Sequence, residues 1–321
     1  MLKKIKYKLI IFILKVFTTL VPLFPRRFIL GLFGFFGRIS ARLLKKERQK
    51  VISNLNIAFG HEMTDKELNQ MSIEVFEHQA KNLADYAHAI NVKSRKEFEK
   101  YAEIIGEEHL KMSYEQNRGV ICLVCHMGSW EFSAITPSIL GYKTTAVSKG
   151  LKNPELNKMI KGFRESRGLN NLNRGDTYPM LLESLNRGEC LIIMIDQDTR
   201  VKSIFADFFG KPAYTPIGAA KLALDTNAVV VPMAMKRRED GKHQFTIRKE
   251  IELSKSGDRD RDLIENTKRF SAVIEDYIRE DPSQWVWMHK RWKTQPEDIE
   301  RLKNEGVIRD CSLIELQKEI G

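Results

Sequence analysis

The sequence has few of the residues on which disulfide-stapled and metal-dependent proteins are built. Its 321 residues include four cysteines, which form no disulfide framework, as is typical of a protein from a reducing compartment. Cys122 and Cys125 make a C-x-x-C, yet they lie in the apolar run GVICLVC, which predicts a strand. An odd separation in a strand directs two side chains to opposite faces, so we interpret both thiols as buried apolar groups.

Acidic residues and long apolar runs are both scarce at the N-terminus. Residues 1–50 contain 13 Lys and Arg but a single acid, Glu47, so the net charge of +11 arises there and the other 271 residues sum to −1. The apolar run from Leu9 to Phe24 has 16 residues with Lys15 inside it. That is shorter than the roughly 20 residues that cross a bilayer. We predict that residues 1–45 form an interfacial or re-entrant hydrophobic anchor, whose cations favour an anionic membrane surface.

Other interpretations of this segment remain open. It is also compatible with a tilted transmembrane helix, with an uncleaved signal-like segment, or with a helical hairpin in the core of a soluble protein. A nucleic-acid partner is not expected, because the charged parts of the chain lack the alternation of aromatic and basic residues that stacks on bases.

The pattern of apolar residues divides the rest of the chain into a domain and a tail. Residues 46–300 are interpreted as one domain, with a helical lead-in at 46–115 and an α/β core at 116–300, and residues 301–321 as a charged tail. Within the lead-in, apolar residues recur at steps of three and four, and Thr64 with Glu67 predicts a capping box.

From Gly119 onward, short apolar runs alternate with longer amphipathic ones. GVICLVC, YKTTAVS, ECLIIMID, NAVVVPMAM and HQFTIRKEIEL are typical of strands, while NPELNKMIKGFRESRG, YPMLLESLNRG and PIGAAKLALDT between them are typical of helices. Buried strands separated by helices predict an α/β fold with a mainly parallel or mixed central sheet covered by helices.

The stretch CHMGSWE places a histidine and a glutamate five residues apart, directly after a predicted strand. In α/β folds, ligands bind at the carboxyl ends of the strands. On one continuous helix the two side chains would point about 140° apart, but Gly128 permits a turn between them and Ser129 is a candidate helix cap. If the side chains of His126 and Glu131 meet, the imidazole is a general base for a hydroxyl and the carboxylate is its orienting partner.

Rival interpretations of this pair are a metal site and a structural role. H-x-x-x-x-E lacks the i, i+4 histidine pair of a zincin helix, so we predict neither a metal ion nor a cofactor. No G-x-S-x-G surrounds Ser129 or Cys125, which favours direct transfer over an acyl-enzyme. A buried, satisfied histidine beside a capping glutamate remains open from these two residues alone.

Four further blocks carry a resemblance to a known family. They are RQKVISNLNIAFG, the D-x-D of Asp196 to Asp198, FFGKPAYTPIGAAKLA from Phe208, and QWVWMHKRWK from Gln284 to Lys293. In this order, and with H-x-x-x-x-E, the chain resembles the bacterial lipid A late acyltransferases, the lauroyl and myristoyl transferases of the glycerolipid acyltransferase superfamily. The resemblance runs from the N-terminal anchor to about Pro296.

The resemblance implies an O-acyltransferase at the cytoplasmic face of the bacterial inner membrane. It would move a fatty acyl chain from an acyl thioester, usually on acyl carrier protein, to a hydroxyl of a lipid A precursor or related glycolipid. His126 and Glu131 would be catalytic. The implied substrate-binding residues are Arg164, Asp198, Phe209, Gly210, Thr215, His289 and Arg291.

Some of these residues, and the function itself, have alternative interpretations. Arg164 suits an anionic acceptor or a developing oxyanion, although a solvated helix face is its plain alternative. Asp196 and Asp198 are expected to fix the loop beside the site, and of the two we favour Asp198 as the one that faces it. Alternative functions are acylation of a phospholipid or phosphatidylinositol mannoside, a catalytically silent membrane-bound binding protein, and a hydrolase using the same pair.

Overall fold

Nine strands form two sheets within the residues that this computed structural model describes, namely 2–148, 150, 153–173, 177–306, 308 and 310–320. They are β1 (Ala102–Ile105), β2 (Val120–Val124), β3 (Thr144–Ser148), β4 (Leu169–Asn173), β5 (Cys190–Ile193), β6 (Ser203–Phe208), β7 (Lys211–Pro216), β8 (Val229–Arg237) and β9 (His243–Ile247). The larger sheet has the order β1-β9-β8-β2-β5-β3-β4, and β6 with β7 forms the smaller one.

The larger sheet is mostly parallel, as the alternation of strands and helices predicts. Only the β8–β9 pair within it is antiparallel. β2 and β5 are central, and every residue of both strands is buried. Burial on both faces explains why these two segments read as continuous apolar runs instead of alternating ones.

Helices flank this sheet, and thirteen α-helices lie in the described part of the chain. They are α1 (Leu2–Leu20), α2 (Arg26–Leu43), α3 (Lys45–Phe59), α4 (Asp65–Ala89), α5 (Arg95–Phe98), α6 (Glu107–Glu115), α7 (Trp130–Ile139), α8 (Pro154–Glu165), α9 (Tyr178–Asn186), α10 (Gly218–Thr226), α11 (Arg259–Glu280), α12 (Ile299–Asn304) and α13 (Ser312–Ile320). The capping box predicted at Thr64 is confirmed at the start of α4, where Thr64 and Glu67 bond each other's backbone N–H groups.

Two hydrophobic cores lie on the two sides of the larger sheet. Cys122 packs in one core and Cys125 in the other, and both thiols are fully buried. Burial raises the pKa of both thiols far above the ordinary value, so they stay protonated. The interpretation of the C-x-x-C as two buried apolar side chains is confirmed.

One prediction about the chain's elements is wrong, and three strands were not predicted. The lead-in at 46–115 is not all helical, because β1 lies within it and pairs with β9. β4 and the β6–β7 hairpin are strands that no apolar pattern indicates. At the hairpin tip Phe209 and Gly210 both have positive φ, +55° and +70°, which is the conformation of a type I′ turn. β1 and β4 pair with strands farther along the chain, which the local sequence does not show, whereas β6 and β7 pair with each other.

The segment 301–321 is not a separate tail. Ile299, Ile308, Cys311 and Ile314 form a small apolar cluster with Phe205 and Tyr214 of the hairpin. Gln317 on α13 also accepts a hydrogen bond from the backbone N–H of Phe205 at 3.1 Å. The C-terminal helices therefore brace the hairpin.

The N-terminal helices carry an unusual number of exposed apolar side chains. Twelve large ones between Phe12 and Leu44 are 37 to 74% exposed: Phe12, Ile13, Val16, Leu20, Leu23, Phe24, Phe28, Leu32, Phe35, Phe36, Leu43 and Leu44. We call these twelve the N-terminal apolar set. Among the described helices, none combines the length and the hydropathy needed to cross a bilayer.

Part of this N-terminal segment belongs to the folded domain. α2 packs along α4, and a Cβ at Gly37 would lie 2.6 Å from the Cα of Glu77, so only glycine permits this approach. Arg26, at the start of α2, bonds the buried carboxylate of Asp85 on α4 at 2.8 to 2.9 Å.

Candidate active site

His126 lies at the carboxyl edge of the central sheet, two residues beyond β2. Gly128 then turns the chain with a φ of +52°, and a Cβ at this position would lie 2.1 Å from the carbonyl oxygen of Met235. α7 begins at Trp130, with Ser129 at the N-cap position, although the Ser129 side chain makes no capping hydrogen bond. The turn predicted between His126 and Glu131 is present.

The carboxylate bonded to the imidazole is that of Asp196, not of Glu131. Asp196 follows β5 in the sheet, next to β2, and its Oδ1 lies 2.7 Å from His126 Nδ1. Its Oδ2 accepts two further hydrogen bonds, from the backbone N–H of His126 at 2.7 Å and from Trp285 Nε1 at 2.8 Å. The expected His126–Glu131 hydrogen bond is therefore replaced by a His126–Asp196 pair.

Both members of this pair have shifted pKa values. Burial opposes the charge on Asp196, but the neighbouring His126 and the hydrogen bonds from His126 and Trp285 prevail and lower its pKa to about 2. Burial opposes charge on His126 as well, yet the attraction of Asp196, its hydrogen bond and the charge of Glu131 raise the imidazole pKa. With Nδ1 engaged by Asp196, Nε2 is the ring nitrogen left to accept a proton.

Glu131 is instead the partner of Arg164. The guanidinium of Arg164 donates to both carboxylate oxygens of Glu131, from Nη2 at 2.7 Å and from Nε at 3.2 Å. Its Nη1 donates to Asn171 Oδ1 on β4 at 2.7 Å. The two-point pairing fixes the plane of the guanidinium and leaves two of its five N–H groups for another acceptor.

A cavity of about 600 Å³ opens beside these residues, and we call it the main cavity. His126, Trp130, Glu131 and Arg164 line it on the polar side. The rest of its wall is largely apolar and comes from β3, from β5 and the loop after it, and from α7, α9 and α10: Ala134, Ala146, Val147, Leu181, Ile192, Ile193, Met194, Ile195, Ile217 and Leu222. A hydrophobic pocket with a few convergent polar groups is the usual form of a small-molecule site.

The structure brings together three of the nine predicted site residues, His126, Glu131 and Arg164. The expectation that Asp198 faces the site is not met, because its Oδ2 accepts from the backbone N–H of Thr294 at 2.8 Å. His289 Nε2 accepts from the backbone N–H of Asp198 at 3.0 Å, which ties the same two loops together. Neither residue lines the main cavity within the described part of the chain.

Of the four other predicted binding residues, Phe209, Thr215 and Arg291 are buried in packing contacts, whereas Gly210 is exposed at the hairpin tip. Arg291 is fully buried and donates to Tyr214 O at 2.7 Å and to Thr215 Oγ1 at 2.6 Å. Phe209 packs against Phe59 and Trp287, and Gly210 is its partner in the hairpin turn. Since the side chains of Phe209, Thr215 and Arg291 contact protein on the inside of the fold, their position favours support of the loop over contact with substrate.

Sequence reasoning missed two residues of the site. Asp196 was seen in the D-x-D block but given a loop-fixing role, and Asn171 was not singled out at all. A signal for Asp196 exists, because His126 and Asp196 each follow the first residue of their strand by six positions. Asn171 lies on an edge strand that the sequence pattern does not indicate. Among the described residues, no group of three or more His, Cys, Asp or Glu side chains could hold a metal ion.

Comparison with known proteins identifies the family of the chain. The family model described as bacterial lipid A biosynthesis acyltransferase matches residues 2–294. The chain belongs to this family. Its relatives include the lipid A biosynthesis lauroyltransferase of Escherichia coli (strain K12), which is 28% identical over 270 residues, 82% of this chain and 84% of the relative.

Two other relatives broaden the comparison. The lipid A biosynthesis acyltransferase of Haemophilus influenzae is 26% identical over 281 residues, 87% of this chain and 86% of that one. The phosphatidylinositol mannoside acyltransferase of Mycolicibacterium smegmatis is 27% identical over 205 residues, 63% of this chain and 66% of the relative. This lipid A acyltransferase family member is therefore an O-acyltransferase, and the family supports a lipid A-type acceptor.

Proposed function

We propose that the protein transfers a fatty acyl group from acyl carrier protein to a hydroxyl of a lipid A precursor, with His126 as the general base. Family membership supports the acyl transfer and the type of acceptor. The observation that carries the mechanism is the His126–Asp196 hydrogen bond of 2.7 Å at the wall of the apolar main cavity.

The proposed reaction needs one proton shuttle and no protein nucleophile. His126 Nε2 takes the proton of the acceptor hydroxyl as its oxygen attacks the carbonyl carbon of the thioester. The tetrahedral intermediate then collapses, the C–S bond breaks, and the imidazolium returns the proton to the leaving thiolate. Asp196, ionised because its pKa is about 2, holds the imidazole with Nδ1 protonated and stabilises the imidazolium.

Arg164 is proposed to supply positive charge to this step. Its two unused N–H groups are suited to the oxyanion of the intermediate or to an anionic group on the acceptor. Glu131 is proposed to act through Arg164, since both of its oxygens bind that guanidinium. Its charge also helps raise the pKa of His126. The H-x-x-x-x-E motif would then supply both the base, His126, and the carboxylate that positions Arg164.

The apolar wall of the main cavity is proposed to hold the acyl chain. Each buried methylene contributes about 0.8 kcal/mol, so a chain that fills the cavity binds more tightly than a shorter one. The leucine and alanine side chains of β3, α9 and α10, with the isoleucine side chains of β5 and the loop after it, would therefore set the preferred chain length.

The N-terminal apolar set is proposed to hold the enzyme on the cytoplasmic face of the inner membrane. Its exposed phenylalanine and leucine side chains are far more numerous than the single, scattered apolar residues that the surface of a soluble protein exposes. The 13 Lys and Arg among residues 1–50 would add attraction to anionic lipid headgroups. This arrangement would bring the embedded acceptor to an enzyme whose donor is soluble.

The test is transfer of radiolabelled acyl groups from acyl carrier protein to a panel of membrane lipids, with wild type and His126→Ala compared. Label on a lipid A precursor with wild type alone, and a loss of at least about a hundredfold in the variant, is the expected result. Label on a phospholipid or a phosphatidylinositol mannoside instead would reassign the acceptor. If the His126→Ala variant keeps more than a tenth of the rate, His126 is not the base.

A further inference from the structure

The block QWVWMHKRWK, one of the four that carry the family resemblance, contributes no side chain to the proposed reaction steps. Its residues 284–286 lie antiparallel to residues 126–128, the turn that follows β2. The N–H of Val286 donates to the carbonyl oxygen of His126 at 3.2 Å, and the N–H of Gly128 donates to that of Gln284 at 3.0 Å. These two hydrogen bonds hold segment 284–286 directly beside the proposed base.

The side chain of Trp285, in the middle of this segment, is enclosed by other aromatic rings. Trp285 is fully buried. Its ring packs against those of Phe208 and Trp287, with ring centroids 5.6 Å and 4.7 Å away. A ring enclosed in a close-packed core keeps one orientation, so the fold sets the direction of the indole N–H.

That N–H points at the carboxylate that holds the proposed base. Trp285 Nε1 donates to Asp196 Oδ2 at 2.8 Å, and the side chain of Asp196 is fully buried. Two more N–H groups in the described part of the chain bond this carboxylate, and both belong to His126. The indole is therefore the donor that acts on Asp196 independently of the base.

The indole N–H and the imidazolium compete for the charge of Asp196. Each donor to a carboxylate stabilises its negative charge and weakens its attraction for a neighbouring proton. Although burial opposes the charge, His126 and the hydrogen bonds from His126 and Trp285 lower the pKa of Asp196 to about 2. Without the indole, the backbone N–H of His126 still bonds Oδ2, so the carboxylate keeps its place. It would then attract the proton on the imidazole more strongly.

Other titratable groups around the pair belong to several elements. They are Cys125 after β2, Glu131 on α7, and His289 and Arg291 in the loops after α11. None of these four side chains is hydrogen-bonded to the indole of Trp285 in the described part of the chain. Removing the indole N–H therefore changes the charge balance at Asp196 and leaves these neighbours as they are.

We propose that Trp285 is a positioning residue that sets the base strength of His126, because its indole N–H fixes the Asp196 carboxylate and takes up part of its charge. This inference rests on the proposed function, in which His126 is the base, and it assigns the block from Gln284 to Lys293 a part in the reaction. The imidazolium formed in the first step then returns its proton to the leaving thiolate more readily than it would beside an aspartate without this donor.

The test is the pH dependence of kcat in Trp285→Phe, which keeps an aromatic ring and removes the N–H. Activity rises with pH as His126 loses its proton, and the midpoint of this rise is expected to move up by about half a pH unit or more. At a pH well below the midpoint, that shift corresponds to a loss of about threefold in kcat. The loss should largely disappear at high pH, where the imidazole is neutral in both proteins.

Trp287→Phe is the matched control. Trp287 is also fully buried in the same core, and its Nε1 donates to the carbonyl oxygen of Pro282 at 2.6 Å. The exchange therefore removes the same atoms from the core without changing a contact of Asp196. It should leave the pH midpoint at the wild-type value. If Trp285→Phe does not fold, benzothienylalanine at position 285, which keeps the shape of the ring and replaces the N–H by sulfur, takes its place.

A midpoint that stays or falls in the folded variant, with kcat lowered equally at every pH, would overturn the proposal, since a merely structural tryptophan would act in this way. An equal upward shift in Trp287→Phe would overturn it as well. Nitrogen NMR of histidine-labelled protein, with His126→Gln to assign the signal, measures the titration of His126 without any substrate. A raised titration midpoint in a protein that transfers no acyl group would refute the proposed function alone, whereas normal transfer with an unshifted midpoint would refute this inference alone.

Discussion

Replacing Asp196 with asparagine tests whether Asp196, as observed, or Glu131, as expected from the sequence, is the functional partner of His126. Asp196 receives three N–H groups, two at Oδ2 and one at Oδ1. An asparagine keeps one oxygen, and that oxygen is best placed to satisfy the two donors, the backbone of His126 and the indole of Trp285. Its amide N–H2 then faces His126 Nδ1.

This arrangement would reverse the tautomer of the imidazole. With Nδ1 accepting from the amide, the ring proton lies on Nε2, which then cannot take a proton from the acceptor hydroxyl. The variant also loses the negative charge that stabilises the imidazolium. By analogy with a serine protease triad, where the same exchange costs about ten thousandfold, we expect kcat to fall by at least about a hundredfold.

The pH profile provides a second readout. His126 must be neutral to act as a base, so activity rises with pH through its pKa, which Asp196 raises above 6.5 in the wild type. The Asp196→Asn variant lacks the carboxylate that raises the pKa of His126. The pH midpoint of its residual activity should therefore be lower than in the wild type, and its maximal rate at high pH should fall. A merely structural aspartate would not shift the midpoint.

The assay is the initial rate of acyl transfer at saturating donor and acceptor across the pH range. Asp198→Asn is the matched control, because an asparagine there keeps an oxygen for the N–H of Thr294. Retention of more than a tenth of wild-type kcat in Asp196→Asn, or an equal loss in Asp198→Asn, would refute the assignment of Asp196 as the partner of His126.

Other predictions follow from contacts of single residues. Glu131→Gln should lower kcat/KM by roughly tenfold or more through misplacement of Arg164, and steady-state kinetics with Arg164→Lys, which has no fork of N–H donors, should show a similar loss. Gly128→Ala should destabilise the fold by several kcal/mol, measured by urea unfolding, because its Cβ would meet the carbonyl of Met235 at 2.1 Å; a loss below about 1 kcal/mol would contradict the geometry. Deletion of residues 1–24 should weaken binding to anionic vesicles in a flotation assay and leave the unfolding midpoint near wild type. Deletion of residues 1–36 should also lower that midpoint, because it removes Arg26 from the buried Asp85; equal midpoints would show that α2 contributes little.

The sequence predicted most of the α/β core because its signals are local. β2 and β5 are apolar runs of strand length bounded by turn residues, and Thr64 with Glu67 is a capping signal that needs no tertiary partner. The elements it missed lack such signals. β1 and β4 are short strands at the two edges of the sheet, and each is specified by hydrogen bonds to one distant partner.

The candidate site divides in the same way. By itself, the sequence placed His126, the proposed base, because a histidine directly after a buried strand lies at the carboxyl edge of a parallel sheet. It also predicted Arg164 and Glu131 as site residues, and the structure pairs the two at the wall of the main cavity. It did not determine which carboxylate serves His126, and the glutamate five residues away was the natural but incorrect partner.

Only the tertiary structure decided that pairing. β2 and β5 are neighbours with Val120 opposite Cys190, an offset of 70 residues, and the same offset places Asp196 beside His126. An antiparallel bridge between Met127 and Trp285 then brings the indole to the second carboxylate oxygen. The register of two parallel strands is set by packing and hydrogen bonds across the whole sheet, so the partner of His126 cannot be read from the residues around it.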